Sequence, residues 1–361
     1  MSATRVGVVG CGTISQIYFQ NMTTFGPLEV VACADLDPER SAAVQTQYPA
    51  IRAMTTDELL ADPSIDIVVN LTQPGYHHEV MKAGIASGKH VYGEKPLCVS
   101  FEQSVELLSL ADRAGLRVGC APDTFLGAGI QTCRQLIDEG VIGEPIAATA
   151  FMTNHGHEAW HPDPTFYYKK GGGPMLDMGP YYLTALVNLM GPVKSVSGST
   201  RITFPERTIT SQPLDGTKID VEVATHAAGT VNFANGAIAT VVTTFDVWAA
   251  NLPRVEIYGT EGSLSVPDPN TFGGPVRVWT PKSAEWEEVA VTKPFSENSR
   301  GLGVADMADG IANNRPHSAS GALASHVLEV MHAFERSSVS GSRVEMTTSC
   351  ERPEMLLSWS G

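Results

Sequence analysis

The stretch RVGVVGCGTIS, residues 5–15, decides the fold of this chain. RVGVVG reads as a buried strand. Gly10-Cys11-Gly12-Thr13-Ile14-Ser15 follows as a GxGxx(G/S) turn, and TISQIYFQNMTTF (13–25) sets Ile14, Ile17, Tyr18 and Met22 at helical spacing. Strand, glycine turn and helix in this order make a phosphate cradle. Gly10 lets the chain turn sharply, Gly12 lets backbone approach a pyrophosphate, and the small Ser15 lets helix pack on strand. The helix N-terminus, with Thr13 and Ile14 leading into it, then faces the anion.

Outward from this unit the same alternation continues. LEVVACAD (28–35), IDIVVNLT (65–72), HVYGE (90–94) and RVGCAP (117–122) read as strands. DPERSAAVQTQY (37–48), HHEVMKAGIASG (77–88) and SFEQSVELLSLADRAG (100–115) read as the helices between them. Near-continuous apolar strands separated by helices mean a parallel sheet covered on both faces. A doubly wound Rossmann domain that binds NAD(P) is therefore expected over 1–123.

Beyond residue 123 the texture changes. Residues 127–140 read as a helix and 145–153 as a strand. NHGHEAWHPDPTFYYKKGGG (154–173) is long, aromatic and rich in His, Pro and Gly, which marks a functional loop. PMLDMGPYYLTALVNLMG (174–191) is helical from about Asp177. Strands in series fill 193–292, with Asn235-Gly236 as a hairpin turn. Helices over about 304–313 and 320–337 close the chain. The second domain, 124–361, is expected to be α/β with a mostly antiparallel sheet, and to bind substrate and support oligomerisation.

The totals narrow the function. A chain of 361 residues suits two domains, and 43% hydrophobic with 17% charged residues is a globular composition. With 39 acidic against 24 basic residues the net charge is −15, which argues against nucleic acid or an anionic membrane as partner. The six cysteines form no CxxC pair and read as reduced, buried thiols. Without a leader-like N-terminus or a long apolar run, the expected location is the cytoplasm.

Several residues fall where ligands bind in such a sheet, at the C-terminal ends of its strands. Asp35 ends the second strand, where a carboxylate accepts hydrogen bonds from the adenosine ribose and repels a 2′-phosphate. This favours NAD, with NADP possible because Arg40 lies nearby; the alternative is that Asp35 caps the next helix. Thr72, Gln73 and Pro74 end the third strand, with His78 just beyond and His77 read as its exposed neighbour. Glu94-Lys95-Pro96 ends the fourth. Pro96 restricts Lys95 to extended conformations, so the turn aims the lysine. Lys95 can then hydrogen-bond a hydroxyl that is losing its proton; the alternative is a solvated turn lysine. Asp177 and Tyr181, four residues apart, project from one helix face. Lysine, aspartate and tyrosine can share a proton relay beside a nicotinamide, or Asp177 caps its helix and Tyr181 packs beneath the sheet. Asp123, at the end of the fifth strand, is placed to reach a substrate.

Together these motifs resemble the Gfo/Idh/MocA family of glucose–fructose oxidoreductase and inositol dehydrogenase type. The matching stretches are GCGTIS (10–15), Asp35, the TxP…His pattern ending at His78, AGIASGKHVYGEKP (83–96), LIDEGVIGEP (136–145), GGGPMLDMGPYY (171–182) and EIYGTEGSL (256–264). The resemblance implies a nucleotide-binding domain, then an α/β domain with a large open-faced antiparallel sheet that often pairs subunits into dimers or tetramers. It implies sugar or polyol oxidoreduction with a nicotinamide cofactor. The family's functional lysine falls on Lys95 and its aspartate on Asp177. Position 181 is often a histidine base in the inositol dehydrogenases; here it is Tyr181, whose ordinary pKa of about 10 must be lowered for that work. The base is thus Tyr181, Lys95, or a histidine among His155, His157, His161 and His326. Sugar recognition is expected from His155, Trp160 and His161, with no metal. The expected activity is hydride transfer between nicotinamide and a secondary hydroxyl of a sugar, glycoside or polyol. The rivals are a glycoside-cleaving or epimerising enzyme that recycles NAD through a 3-keto sugar, and a non-catalytic nucleotide-binding regulator.

Overall fold

The structure, a computed structural model, describes residues 3–356. The chain forms two compact units, one of residues 3–127, 297–325 and 353–356, the other of 128–296 and 326–352. The sequence reading divides the chain at 123. The first unit instead runs to 127 and takes back 297–325, a return that local periodicity does not carry.

In the first unit, β1 (Thr4–Val9), β2 (Leu28–Ala34), β3 (Arg52–Ala53), β4 (Ile67–Asn70), β5 (His90–Gly93) and β6 (Val118–Cys120) form one parallel sheet. Its order is β3-β2-β1-β4-β5-β6. Val6, Val8, Ile67, Val68, Val69 and Val91 are fully buried in it. Between the strands run α1 (Ser15–Met22), α2 (Pro38–Gln47), α3 (Thr56–Ala61), α4 (His77–Ala86) and α5 (Phe101–Ala114). The strand order reverses direction between β1 and β4, which is where such sheets take their ligand.

The helix starts differ in their capping. Asp37 caps α2, and capping boxes of Thr55 with Glu58 and of Ser100 with Gln103 open α3 and α5. Neither α1 nor α4 has a side-chain cap. These two follow β1 and β4, on either side of the switch point; their first N–H groups meet backbone carbonyls, of Gly12 for Ser15 and of Pro74 for His77.

In the second unit, α6 (Ala128–Asp138) precedes β7 (Pro145–Thr153), and α7 (Gly173–Met190) follows the long loop. The strands after it are β8 (Val193–Arg201), β9 (Glu206–Thr208), β10 (Lys218–Asp220), β11 (His226–Phe233), β12 (Ile238–Thr244), β13 (Val255–Gly259), β14 (Ser263–Val266), β15 (Val276–Trp279) and β16 (Trp286–Val289). α8 (Leu302–Ala312) belongs to the first unit and packs on β6. α9 (Gly321–Ser340) and β17 (Val344–Glu345) complete the chain. The large sheet has the order β16-β15-β14-β13-β7-β12-β11-β8-β17 and is antiparallel except between β7 and β12. β9 and β10 form a separate ribbon. The β11–β12 hairpin turns at Gly236, whose φ of 92° is the left-handed value an Asn-Gly turn supplies.

α7 begins at Gly173, not near Asp177 as the sequence reading has it. Pro174 in the first turn needs no N–H there. Asp177 therefore sits in the helix body and does not cap it. Pro180 lies inside the helix and has no N–H for the carbonyl of Leu176, so one rung is missing beside Asp177. A Cβ on Gly172 would fall 2.5 Å from the Phe166 carbonyl oxygen, so the glycine run lets the loop close tightly on the helix start. Among the described residues, no helix is long and apolar enough to cross a membrane.

Candidate active site

In the first unit the candidate residues gather at the C-terminal edge of the parallel sheet. Gly10 has φ of 100°, and a Cβ there would lie 2.7 Å from the Leu71 carbonyl carbon. The protein itself requires that glycine. Gly12 differs, because a Cβ there would meet no protein atom within 4 Å and its φ is not left-handed. Protein packing does not explain Gly12. Ser15 is buried and its hydroxyl donates to Gly12 O at 2.7 Å, which fixes the turn. Ile14, the residue before α1, is partly exposed.

Asp35 accepts from the Cys11 N–H at 2.7 Å through one oxygen and from the Asp37 N–H at 2.9 Å through the other. It thus ties the glycine turn to the end of β2, half-buried. The cap of α2 is Asp37, so the capping alternative for Asp35 does not hold. Arg40 pairs with Asp37 at 3.4 Å.

After β4 the structure buries a histidine that the sequence reading leaves exposed. His77, read from sequence as an exposed neighbour, is 0% exposed. Its Nδ1 lies 2.7 Å from Pro96 O and its Nε2 2.9 Å from Thr72 O. It bolts the loop after β5 to the loop after β4, and burial lowers its pKa. His78 is half-buried and pairs with Glu106 at 3.0 Å. The helical phase of α4 carried the signal, since His77 shares a buried face with Met81, Gly84 and Ile85.

Around Lys95 the backbone is held on both sides. Glu94, buried, accepts from the Tyr18 hydroxyl at 2.7 Å and from the Lys95 N–H at 2.9 Å. Pro96 receives the His77 contact, and the Lys95–Pro96 peptide is cis. Asp123 is placed otherwise than the sequence reading expects. It is 1% exposed, and its Oδ2 accepts from the N–H groups of Gly301 and Gly303 at 2.9 and 3.0 Å. It caps α8 from a distant part of the chain and offers no open face to a substrate. Burial raises its pKa to about 6.

In the second unit the long loop converges on α7. His157 presents Nε2 to Asp177 Oδ2 at 3.5 Å, both well shielded from solvent. The imidazole stacks on Tyr167 at 3.7 Å between centroids and meets the edge of Phe245 at 4.7 Å. Tyr181 lies one turn beyond Asp177 on α7 and is buried. Of the four histidines named from sequence as candidate bases, His157 is thus the one paired with the aspartate. His326 is fully buried, with Nε2 accepting from the Val193 N–H and Nδ1 on the Thr348 hydroxyl, a structural arrangement. His155 stacks on Trp248 at 3.4 Å, and desolvation lowers its pKa. His161 accepts from the Asp163 N–H and packs edge-on against Trp160 and Tyr167; desolvation lowers its pKa too. Trp160 and Trp248 stand 63% and 83% exposed, offering broad aromatic faces. Among the described residues, no group of three or more His, Cys, Asp or Glu could hold a metal ion.

Comparison with known proteins fits this geometry. The profile described as an oxidoreductase family with NAD-binding Rossmann fold matches residues 4–121, and the GFO/IDH/MocA C-terminal domain matches 130–265. An uncharacterized oxidoreductase of Rhizobium meliloti is 30% identical over 277 residues, 74% of this chain and 76% of its own. The 1,5-anhydro-D-fructose reductase of Ensifer adhaerens is 29% identical over 268 residues, 72% and 74% of the two chains. Levoglucosan dehydrogenase in complex with NADH has the same fold, with a TM-score of 0.82 and 21% identity over 96% of this chain and 100% of that one. The parallel sheet of the first unit agrees with the NAD-binding Rossmann profile over 4–121, and with the second profile over 130–265 the chain belongs to the GFO/IDH/MocA family of NAD-binding oxidoreductases.

Proposed function

We propose that this protein is an NAD-dependent oxidoreductase acting on a secondary hydroxyl of a sugar, glycoside or polyol, or on the matching ketone in reverse. The observation that carries the reading is the His157–Asp177 pair set among aromatic rings, in a chain whose other unit has a ligand-facing glycine turn. The named relatives are sugar reductases and dehydrogenases, which supports a carbohydrate substrate.

The first unit, extended by its returning segment, is the cofactor domain in this reading, and the second is the substrate domain. Gly10, Gly12, Thr13, Ile14 and Ser15 would hold the pyrophosphate through backbone N–H groups and the start of α1. Asp35 would add ribose hydroxyls to the two N–H groups it already accepts, with a preference for NAD over NADP. Thr72, Pro74, His78 and Glu94 border the same sheet edge. When bound, the nicotinamide accepts or returns the hydride. Lys95 stabilises the oxygen that gains negative charge as the hydroxyl proton leaves. On the substrate side, Asp177 orients His157 and charge-balances its protonated form, and Tyr181 extends the hydrogen-bonding chain along α7. Trp160, with His155 and His161, supplies flat faces for the apolar side of a sugar ring. The exposed Ile146 and Ile238 on the large sheet favour a homo-oligomer, a dimer or tetramer, and the cytoplasm is the location this reading assigns.

The test is a panel of free sugars, anhydrosugars, polyols and glycosides incubated with NAD, with reduced cofactor and sugar product followed separately. Net reduced cofactor is the expected result. Product without it would replace this reading with a cofactor-recycling glycoside-cleaving or epimerising enzyme. Cofactor binding with no product from any class would indicate a regulator.

A further inference from the structure

We infer that Arg207, on the β9–β10 ribbon, is a positioning residue for His157, fixing that imidazole against Asp177 from three directions at once. The inference rests on the reading of His157 and Asp177 as the substrate-side proton pair. His157 lies on a loop whose regular structure is a single short turn at Thr165–Tyr168. A side chain on such a loop needs anchors other than a backbone ladder.

Arg207 supplies them. It is 6% exposed. Its Nη1 donates to Glu158 Oε1 at 3.0 Å and to His155 O at 3.5 Å, so one nitrogen holds the residues on both sides of Gly156-His157. Its Nη2 donates to Phe245 O at 2.8 Å, and Phe245 is the ring packed T-shaped against His157. Nη2 also pairs with Asp246, whose other oxygen accepts from the Thr225 hydroxyl at 2.8 Å. The rings of Tyr168 and Phe204 cover the guanidinium at 5.5 and 4.9 Å. Glu158 is tied further, since its carbonyl accepts from the N–H groups of Thr210 and Ser211 at 2.9 Å each. A planar fork with five donors can serve these four acceptors in fixed directions, which a lysine with three donors cannot. The ion cluster therefore does more than neutralise charge. It sets where His157 stands relative to Asp177 and the stacked Tyr167.

The test compares Arg207→Met, Arg207→Lys, Glu158→Gln and His157→Asn. Folding is checked by thermal unfolding. The position of the imidazole is read from the NMR signals of labelled histidine, which the stacked Tyr167 ring displaces. Arg207→Met is expected to move the His157 signals while leaving those of His326 in place, and to lower kcat about a hundred-fold with KM nearly unchanged, as a displacement near 1 Å does. Arg207→Lys recovers part of kcat, because the charge returns without the fork. Should Arg207→Met fail to fold, Glu158→Gln, which keeps the acceptor but weakens the pull, is expected to show the same displacement in smaller form. A folded Arg207→Met, or failing that Glu158→Gln, with unmoved His157 signals and wild-type kcat would overturn the inference. Full activity in His157→Asn would overturn the proton-pair reading instead. The NMR displacement would still decide the role of Arg207.

Discussion

His157 and Asp177 face each other at 3.5 Å, one from an irregular loop and the other from the body of α7. A carboxylate held beside an imidazole is an arrangement that general acid–base catalysis uses.

If the pair works as one unit, its losses do not add. His157→Asn and Asp177→Asn should each lower kcat by about 10²–10⁴-fold. The double variant should be little worse than the worse single one. Steady-state kinetics of the three variants decide it; losses that multiply in full would mean the two residues act separately.

Gly10 and Gly12 give a contrast within one turn. Gly10→Ala places a Cβ against the Leu71 backbone at a φ of 100° and should destabilise the fold by more than about 1 kcal/mol. Gly12→Ala meets no protein atom. It should leave the unfolding temperature unchanged and weaken NAD binding at least about ten-fold, because the new methyl occupies the approach path of the pyrophosphate. Calorimetry for stability and titration with NAD separate the two effects. Unweakened NAD binding in Gly12→Ala would remove the turn from the cofactor site.

What the sequence made legible was local. The strand–turn–helix at residue 5, the parallel sheet and the Asn-Gly hairpin all follow from short periods and glycine spacing. β3 escaped because two residues carry no period. The start of α7 was read late, although Gly173-Pro174 held the true signal. His77 was read as exposed even though helical phase sets it on the buried face of α4. Asp123 and Arg207 were beyond reach for another reason. Their partners lie far along the chain, at Gly301 and Gly303 for one and at Glu158 and Phe245 for the other, and no local pattern encodes such pairings.

If Asp35 reads the ribose, it sets the cofactor preference. Asp35→Ser removes the charge that repels a 2′-phosphate, so the ratio of kcat/KM with NAD to that with NADP should fall. The same change loses an acceptor for the Cys11 N–H, so NAD affinity should also drop, by about ten-fold for a hydrogen bond to a charged group. An unchanged ratio would mean that Asp35 supports the turn and does not read the ribose.

Asp123 predicts a pH dependence of stability. Its folded pKa of about 6 lies above the ordinary 3.8, because burial outweighs the two N–H groups it accepts. As pH rises from about 4 to 6, the unfolded chain ionises before the folded one, so stability falls through that window and levels off above it. The whole effect is about 3 kcal/mol at about 1.4 kcal/mol per pH unit. Asp123→Asn keeps an oxygen for the N–H groups and cannot ionise. Relative to wild type it should gain stability between pH 4 and pH 7. Chemical denaturation at both values measures this, and a constant difference would contradict it.

Lys95 offers the sharpest separation of binding from chemistry. The contacts that shape its turn belong to backbone and neighbours: its own N–H to Glu94, Glu94 to Tyr18, and Pro96 O to His77. None of these contacts uses the ammonium group, so Lys95→Ala should keep the turn. NAD affinity and unfolding temperature should stay near wild type while kcat falls by about 10³-fold or more. Lys95→Arg should recover little, because a bulky planar guanidinium with delocalised charge cannot replace the compact point charge of the ammonium. Small primary amines added to Lys95→Ala should restore part of the rate, since they return a compact cation to the space the side chain left. Full activity in Lys95→Ala would assign the proton chemistry to the histidine pair alone. Lost NAD affinity with unaltered kcat would make Lys95 a cofactor ligand and nothing more.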